Sequence, residues 1–292
     1  MNLTDNLKQT FKNGNTLTKL IYVNVAVFLF VNVLLIIFRL FNIDASGHFD
    51  WLAIPSNLSD LVRHCWTPLT YMFLHKEIMH LLFNMLMLYW FGKIFLIYYS
   101  EKQLLSLYIF GGLVAALVYV AAYNIFPYYS PVSDYSLLMG ASGSIMAIIV
   151  AAAVRAPNVE MNLLLIGRVK LIYIALVTVL ISFFSVTGNN GGGEMAHLGG
   201  AMGGYLFVII GNKGTDITTF INKIIDFFVN LRRPRPKLKT TKFNTQRMSA
   251  EEYNQKKAQN SVEIDRILDK IKTSGYESLT TDEKKRLFEQ KK

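Results

Sequence analysis

The sequence is poor in the residues that stabilise or solubilise most globular proteins. It contains one cysteine, Cys65, so no disulfide can form within the chain. Charged residues make up only 17% of the 292 residues, whereas hydrophobic residues make up 52%. A soluble domain of this size has a more polar composition. The composition therefore excludes a disulfide-stapled secreted domain and indicates a membrane protein.

Six apolar runs are candidates for membrane helices. A hydrocarbon core of about 30 Å needs roughly 20 residues of helix. The predicted helices cover 18–39, 78–99, 103–126, 139–154, 171–186 and 194–211. The first run lacks the features of a removable signal peptide, so it is interpreted as a retained helix. The pattern predicts an all-α membrane protein with six transmembrane helices.

Lysine and arginine are missing from two connections, and this absence sets the predicted orientation. Segments 127–138 and 187–193 contain neither residue, which is typical of loops outside the cytoplasm. Most of the net charge of +10 belongs to residues 213–292. Both termini are therefore predicted to be cytoplasmic. A basic segment beside a bilayer is expected to meet anionic lipid, so nucleic acid is not a predicted partner.

Four strongly polar residues fall inside the predicted helices, where burial of such side chains in the membrane costs free energy and usually marks a functional site. His80 and Asn84 are four residues apart, which places them on one helix face. Ser142 begins the fourth helix and His197 lies near the start of the sixth. The predicted orientation puts all four near the outer face of the membrane at a similar depth.

The fourth helix is too short to span a bilayer alone. Its 13 residues from Ser142 to Val154 cover about 20 Å. Ser142 is therefore expected below the outer surface, beside a protein-lined cavity that holds water. Glycines on the fourth and sixth helices predict close contact between the two backbones. These glycines are Gly140, Gly143, Gly199, Gly200, Gly203 and Gly204.

This placement predicts hydrolysis by a serine–histidine dyad. His197 would take the proton of Ser142, and His80 and Asn84 would stabilise the oxyanion. The acidic candidates for a third member, Glu77 and Glu194, are assigned to loop or rim positions, so a dyad is favoured over a triad. Taken singly, each motif also fits ordinary helix packing or hydrogen bonding between helices.

Two other kinds of site fit the sequence less well. Ser142 lies in Gly-Ala-Ser-Gly-Ser, which is not the Gly-x-Ser-x-Gly of α/β hydrolases. A zinc site would need His75, His80 and His197, but His75-Lys-Glu-Ile-Met-His80 is not His-Glu-x-x-His and no ligand cluster accompanies it. Neither a metal nor a cofactor is predicted.

The ordered set of motifs resembles the rhomboid family of intramembrane serine proteases. The matching pieces are His75 with His80-Leu-Leu-Phe-Asn84, Gly140-Ala-Ser142-Gly143, and Ala196-His197-Leu-Gly-Gly200-Ala-Met-Gly-Gly204. The resemblance implies Ser142 as nucleophile, His197 as general base, and His80 and Asn84 in or beside the oxyanion hole. It assigns supporting roles to His75, Gly140, Gly143, Gly200 and Gly204. It also implies transmembrane protein substrates, the lipid bilayer as surroundings, and the cytoplasmic membrane of a bacterium as location.

Two positions depart from the family pattern. The Trp-Arg pair of the family's first loop aligns with Trp66-Thr67, so the arginine is missing. Met146 replaces the aromatic residue that often packs on the catalytic histidine. Neither change removes a reacting group, but both bear on rate and substrate preference.

The predicted domains follow the helix and charge pattern. They are a cytoplasmic segment at 1–17, the six-helix core at 18–211, an amphipathic interfacial helix at 212–233, a flexible linker at 234–260 and a small helical cytoplasmic tail at 261–292. Packing of the helix at 212–233 against the bundle is an equal alternative. The tail contains a Thr280-x-x-Glu283 capping box and predicts two short helices, and its partner stays open.

Two other functions remain in contention. A rhomboid-like protein that binds membrane clients without cutting them would be expected to lack Ser142 or His197, and both are present. A small-solute transporter would be expected to show internal repeats with charged residues on interrupted helices. The sequence contains no such repeat.

Overall fold

A computed structural model describes residues 3–44, 47–163, 167–232 and 250–289. The chain divides into two compact units, Met1–Pro234 and Arg235–Lys292. The helices of the first unit are α1 (Leu3–Asn13), α2 (Thr16–Leu40), α3 (Leu58–Arg63), α4 (Thr67–Thr70), α5 (Ile78–Tyr98), α6 (Glu101–Ile125), α7 (Ser142–Arg155), α8 (Leu171–Phe184), α9 (Gly191–Asn212) and α10 (Thr219–Arg232). Those of the second unit are α11 (Ala250–Ser274) and α12 (Thr281–Glu289).

The long helices fall where the apolar runs predict them. Among the described residues, α2, α5 and α6 are long and apolar enough to cross a membrane. Helices α7 and α8 are apolar but have 14 residues each, and α9 has 22 residues with many glycines. Large apolar side chains such as Phe30 on α2 and Phe83 on α5 point outward and are more than half exposed. Exposed apolar faces of this kind suit contact with lipid.

Helix α7 lies at the centre of the first unit. It packs against α5, α6, α8 and α9, and every residue from Gly143 to Ala153 is buried. A short helix can begin below a membrane surface only if protein surrounds its open end. The packing around α7 provides that enclosure.

Two short antiparallel strand pairs were not predicted. Strand β1 (Ile54–Pro55) pairs with β2 (Leu137–Leu138), which ties the first loop to the segment before α7. Strands β3 (Glu160–Leu163) and β4 (Gly167–Lys170) form a hairpin between α7 and α8. In β3 and β4 alternate residues are more exposed. This period of two is typical of a strand, but four residues are too few to predict one with an apolar pattern.

Helix α10 packs against the first half of α6. The Ser106 hydroxyl donates to the Asn222 side chain over 2.5 Å, the Lys102 ammonium pairs with Asp226 at 2.7 Å, and Ile221 is buried. One side of α10 therefore contacts the bundle. The opposite side of α10 carries Phe220, which is 72% exposed.

The tail unit is a pair of helices in which the first is longer than predicted. Residues 250–260, assigned to the linker by sequence, form the start of α11, while 234–249 lie outside the described residues. The segment Ala-Glu-Glu-Tyr-Asn-Gln-Lys-Lys-Ala-Gln-Asn is mostly strong helix formers without an apolar stripe, so periodicity alone misses it.

The capping box of α12 is confirmed. The Thr280 N–H donates to the Glu283 carboxylate over 2.7 Å, and the Glu283 N–H donates back to the Thr280 hydroxyl over 3.4 Å. The Thr280 N–H and the Lys270 ammonium lower the pKa of Glu283 to about 2. This carboxylate is therefore ionised at neutral pH and suits the positive end of the α12 dipole.

Candidate active site

One cavity of about 750 Å³ collects the polar residues singled out by sequence. Ser142 from α7, His197 from α9, and His80 and Asn84 from α5 all line it. Residues from the loops on either side complete the wall, among them the Leu137–Met139 segment. The residues lie far apart in sequence, so only the folded bundle brings them together.

Ser142 is the first residue of α7, directly after a sharp turn of the backbone. Gly140 has a φ of +126°, which only glycine adopts without strain, and its N–H donates to the Tyr71 carbonyl over 2.9 Å. A Cβ at Gly140 would also lie 2.8 Å from the His80 ring. Gly140 therefore lets the chain turn into α7 while His80 stays close to Ser142.

The structure brings Ser142 and His197 to the same cavity without a hydrogen bond between them. Within the described residues, the Ser142 hydroxyl has no hydrogen bond to the His197 ring. Nucleophile and base are often farther apart in a free enzyme than in its substrate complex. The lack of this bond in the free protein is therefore compatible with the predicted pair.

His197 is held instead by two polar side chains at its Nδ1 atom. The Glu194 carboxylate lies 3.1 Å from Nδ1, and the Ser182 hydroxyl on α8 lies 3.2 Å from it. Sequence reasoning missed both partners and assigned Glu194 to a loop or rim. Glu194 lies in the first turn of α9 with its side chain 17% exposed. The i, i+3 spacing of Glu194 and His197 is a signal that could have revealed this contact, whereas nothing in the sequence fixes the facing position of Ser182.

The His80 and Asn84 side chains share one face of α5, as their spacing predicts. The Asn84 amide donates one of its two N–H groups to the His80 carbonyl over 3.0 Å, which leaves the second for another acceptor. The His75 and His80 rings meet edge to face with centroids 5.2 Å apart. Burial, followed by the charge of His80, lowers the pKa of His75 to about 4. A neutral His75 can accept from the Ala141 N–H, which lies 3.5 Å from its Nε2 atom.

The close approach of α7 and α9 depends on their glycines. A Cβ at Gly200 would overlap the carbonyl group of Gly143, and a Cβ at Gly204 would overlap that of Ala147. Gly199 faces α6 in the same way, against the backbone of Ala115. Ser142 precedes Gly143 directly and His197 lies three residues before Gly200, so these close contacts help to bring Ser142 and His197 to one cavity.

Thr67 and Met146, the two departures from the family pattern, are both buried and packed in the structure. Thr67 is buried, and its hydroxyl donates to the His64 carbonyl over 2.8 Å. The neighbouring Trp66 donates its indole N–H to the Trp51 carbonyl over 2.8 Å, so the first loop is held without an arginine at position 67. Met146 is buried and lines the cavity one helical turn below Ser142.

The histidines of the cavity are not gathered into a metal-binding cluster in the described part of the chain. Among the residues that the structure describes, no group of three or more His, Cys, Asp or Glu side chains is arranged to hold a metal ion. His197 instead directs Nδ1 to Glu194 and Ser182. The polar side chains that line the cavity include the Ser142 hydroxyl, the His80 and His197 imidazoles and the Asn84 amide.

The residues that line the cavity lie within a part of the chain that matches a known family. Residues 62–213, about half of the chain, match the Rhomboid domain. Residues 250–290, which hold the α11 and α12 pair, match a family of unknown function, DUF6576. The comparison with curated proteins gave no match. Rhomboid domains are those of intramembrane proteases, generally of serine type, that act on transmembrane substrates. With its apolar helices and this domain, the chain is a multi-pass membrane protein that belongs to the rhomboid family.

Proposed function

We propose that the chain is a serine endopeptidase that hydrolyses peptide bonds in or near transmembrane segments of other membrane proteins. Ser142 is the nucleophile and His197 the general base. The observation that carries this proposal is the single cavity lined by Ser142, His197, His80 and Asn84, which reach it from three different helices. No step requires a metal or a cofactor.

The reaction follows from the groups that face the cavity. His197 takes the hydroxyl proton as the Ser142 oxygen attacks the scissile carbonyl carbon, and the C=O electrons move onto the oxygen. His80, the free N–H of Asn84 and the N–H groups at the start of α7 stabilise this oxyanion. Collapse of the intermediate breaks the C–N bond, and His197 gives its proton to the leaving amine. Water then hydrolyses the acyl-serine by the same steps.

The membrane arrangement that goes with this function has six spans and both termini in the cytoplasm. Helices α2, α5, α6, α7, α8 and α9 are the spans. The 14 residues of α7 cover about 21 Å, so with its inner end at the cytoplasmic interface Ser142 lies below the outer one. The inner membrane of a bacterium is the proposed location. Helix α10 then lies at the cytoplasmic interface, where its exposed Phe220 meets lipid.

A serine-directed fluorophosphonate tests the nucleophile directly. Purified protein in liposomes should cleave a single-span substrate, and the reagent should abolish cleavage while adding one adduct that peptide mapping places on Ser142. Cleavage should persist when a chelator is added. An adduct on another residue with the same loss of activity would contradict the assignment, and cleavage that depends on a metal would contradict the mechanism.

The proposed domain boundaries predict different effects for two truncations. A chain that ends at Pro234 keeps α10 and should cleave at nearly the full rate, because the tail forms a separate compact unit. A chain that ends at Gly214 loses the buried Ile221 and the Ser106–Asn222 bond. Burial of one such side chain stabilises by about 1.5–3 kcal/mol, so this shorter chain should unfold at a lower temperature in detergent. Equal unfolding temperatures for the two truncations would exclude a structural role for α10.

A further inference from the structure

The contacts of His197 point beyond a two-residue site. Both of its hydrogen-bond partners lie at Nδ1, Glu194 at 3.1 Å and Ser182 at 3.2 Å. Glu194 and His197 are about one turn apart on α9, so the same helix fixes their separation. Ser182 is buried on α8 and reaches the ring from the neighbouring helix. With Nδ1 engaged in this way, Nε2 is the nitrogen left for Ser142.

We propose that Glu194 is a positioning residue that fixes the tautomer of His197 and stabilises its protonated form, without itself taking up the proton. This inference rests on the proposed function. A neutral imidazole carries one N–H and one lone pair, and only the lone pair can take a proton. A carboxylate can only accept, so Nδ1 must carry the proton and Nε2 keeps the lone pair for Ser142.

Ser182 cannot replace Glu194 in this role. A hydroxyl both donates and accepts, so Ser182 is equally compatible with a protonated and an unprotonated Nδ1. If it alone contacted the ring, Nε2 would carry the proton in part of the molecules, and those molecules would lack a base. The Glu194 carboxylate selects the tautomer with the proton on Nδ1. Ser182 then helps to fix the orientation of the ring from α8.

His197 and Glu194 are partly exposed, and this limits the loss of activity that is expected when Glu194 is replaced. The side chains of His197 and Glu194 are 22% and 17% exposed, so water screens part of their attraction. Loss of the fully buried carboxylate of a serine protease triad costs about 10⁴-fold in kcat. For Glu194 we expect a loss of about 10- to 100-fold, by analogy with the range found when the carboxylates that orient metal-binding histidines are removed.

The electrostatic surroundings of His197 make the pH dependence diagnostic. His80 faces it from α5 and Glu194 from its own helix, while Lys76 and Glu77 lie at the cavity wall. Ser182 from α8 contacts the ring, and uncharged polar residues such as Ser142 from α7 and Tyr119 and Tyr123 from α6 line the same cavity. Glu194 is the negative charge in contact with the ring. Its neutralisation should make the imidazolium less favourable and move the acidic limb of kcat/KM to lower pH.

The test compares Glu194→Gln, Glu194→Asp and Ser182→Ala with the wild type in liposomes, with kcat/KM for a single-span substrate measured against pH. Glu194→Gln keeps the shape of the side chain and should lower the plateau about 10- to 100-fold and shift the acidic limb downward. Glu194→Asp should recover part of the rate, and Ser182→Ala should leave the limb in place. A Glu194→Gln profile that coincides with the wild type, or a lower plateau with an unmoved limb, overturns the inference.

A measurement that does not need turnover separates this inference from the proposed function. In ¹⁵N-histidine-labelled protein, His197 should be the Nδ1–H tautomer at neutral pH, and Glu194→Gln should give a mixture of tautomers, because an amide can donate as well as accept. Cleavage that survives Ser142→Ala would contradict the proposed function. The tautomer of His197 would still show whether Glu194 orients the ring. An Nε2–H tautomer of His197 in the wild type would contradict the role of Glu194 without contradicting the proposed function.

Discussion

Replacement of Ser142 by alanine is expected to lower kcat/KM for a single-span substrate by about 10⁴-fold or more. Alanine removes the oxygen that forms the acyl intermediate and leaves the cavity and the oxyanion donors in place. His197→Ala should cost a similar factor, because the hydroxyl is a weak nucleophile without its base. Residues that act as one unit give effects that do not add, so the double variant should be no slower than either single variant. The measurement is the initial rate of cleavage in liposomes.

Ser144 provides a matched control on the same helix. It is fully buried two residues after Ser142, and within the described residues its hydroxyl has no hydrogen-bond partner. Removal of an unsatisfied buried hydroxyl is neutral or stabilising. Ser144→Ala should therefore keep the wild-type cleavage rate and should not lower the unfolding temperature. If Ser144→Ala and Ser142→Ala lost activity equally, the loss would reflect disruption of α7 rather than removal of a nucleophile.

The sequence predicts the long helices well, and the residues that it singles out line one cavity in the structure, for physical reasons. A bilayer demands apolar runs of a set length, and the runs at 18–39, 78–99 and 103–126 correspond closely to α2, α5 and α6. Polar residues inside such runs are rare and expensive, so His80 and His197 are conspicuous in the sequence alone. The cavity that they line is then a consequence of where the helices begin.

The partners of His197 mark the limit of sequence reasoning. The hydropathy pattern puts Glu194 at the edge of the last apolar run, but α9 begins three residues earlier, at Gly191. This shift puts Glu194 inside the helix and on the face of His197. Ser182 contacts the ring only because α8 and α9 adopt one rotational register, which depends on packing rather than on any local pattern. The tail shows the same limit, since residues 250–260 form helix by propensity without an apolar stripe.

Replacement of Gly200 by alanine is expected to damage both the fold and the site. The new Cβ would overlap the carbonyl of Gly143, and both groups belong to the backbones of packed helices, so neither can rotate away. Overpacking of this kind costs about 1–3 kcal/mol, which corresponds to an unfolding temperature lower by about 2–12 °C for a domain of this size. Gly143 follows Ser142 directly, so separation of α7 from α9 also moves the nucleophile. A misplacement of about 1 Å can cost about 10²-fold in rate.

Gly211 on the same helix provides the opposite expectation for the same substitution. A Cβ there meets nothing within 4 Å, and alanine is a better helix former than glycine by about 1 kcal/mol. Gly211→Ala should therefore raise the unfolding temperature slightly and leave kcat/KM unchanged, while Gly200→Ala lowers both. Thermal unfolding in detergent and cleavage in liposomes check the pair. If Gly211→Ala and Gly200→Ala changed the unfolding temperature and kcat/KM alike, helix propensity rather than the contact between α7 and α9 would determine the stability of α9. The close approach of the two backbones would then not be what holds Ser142 in the cavity.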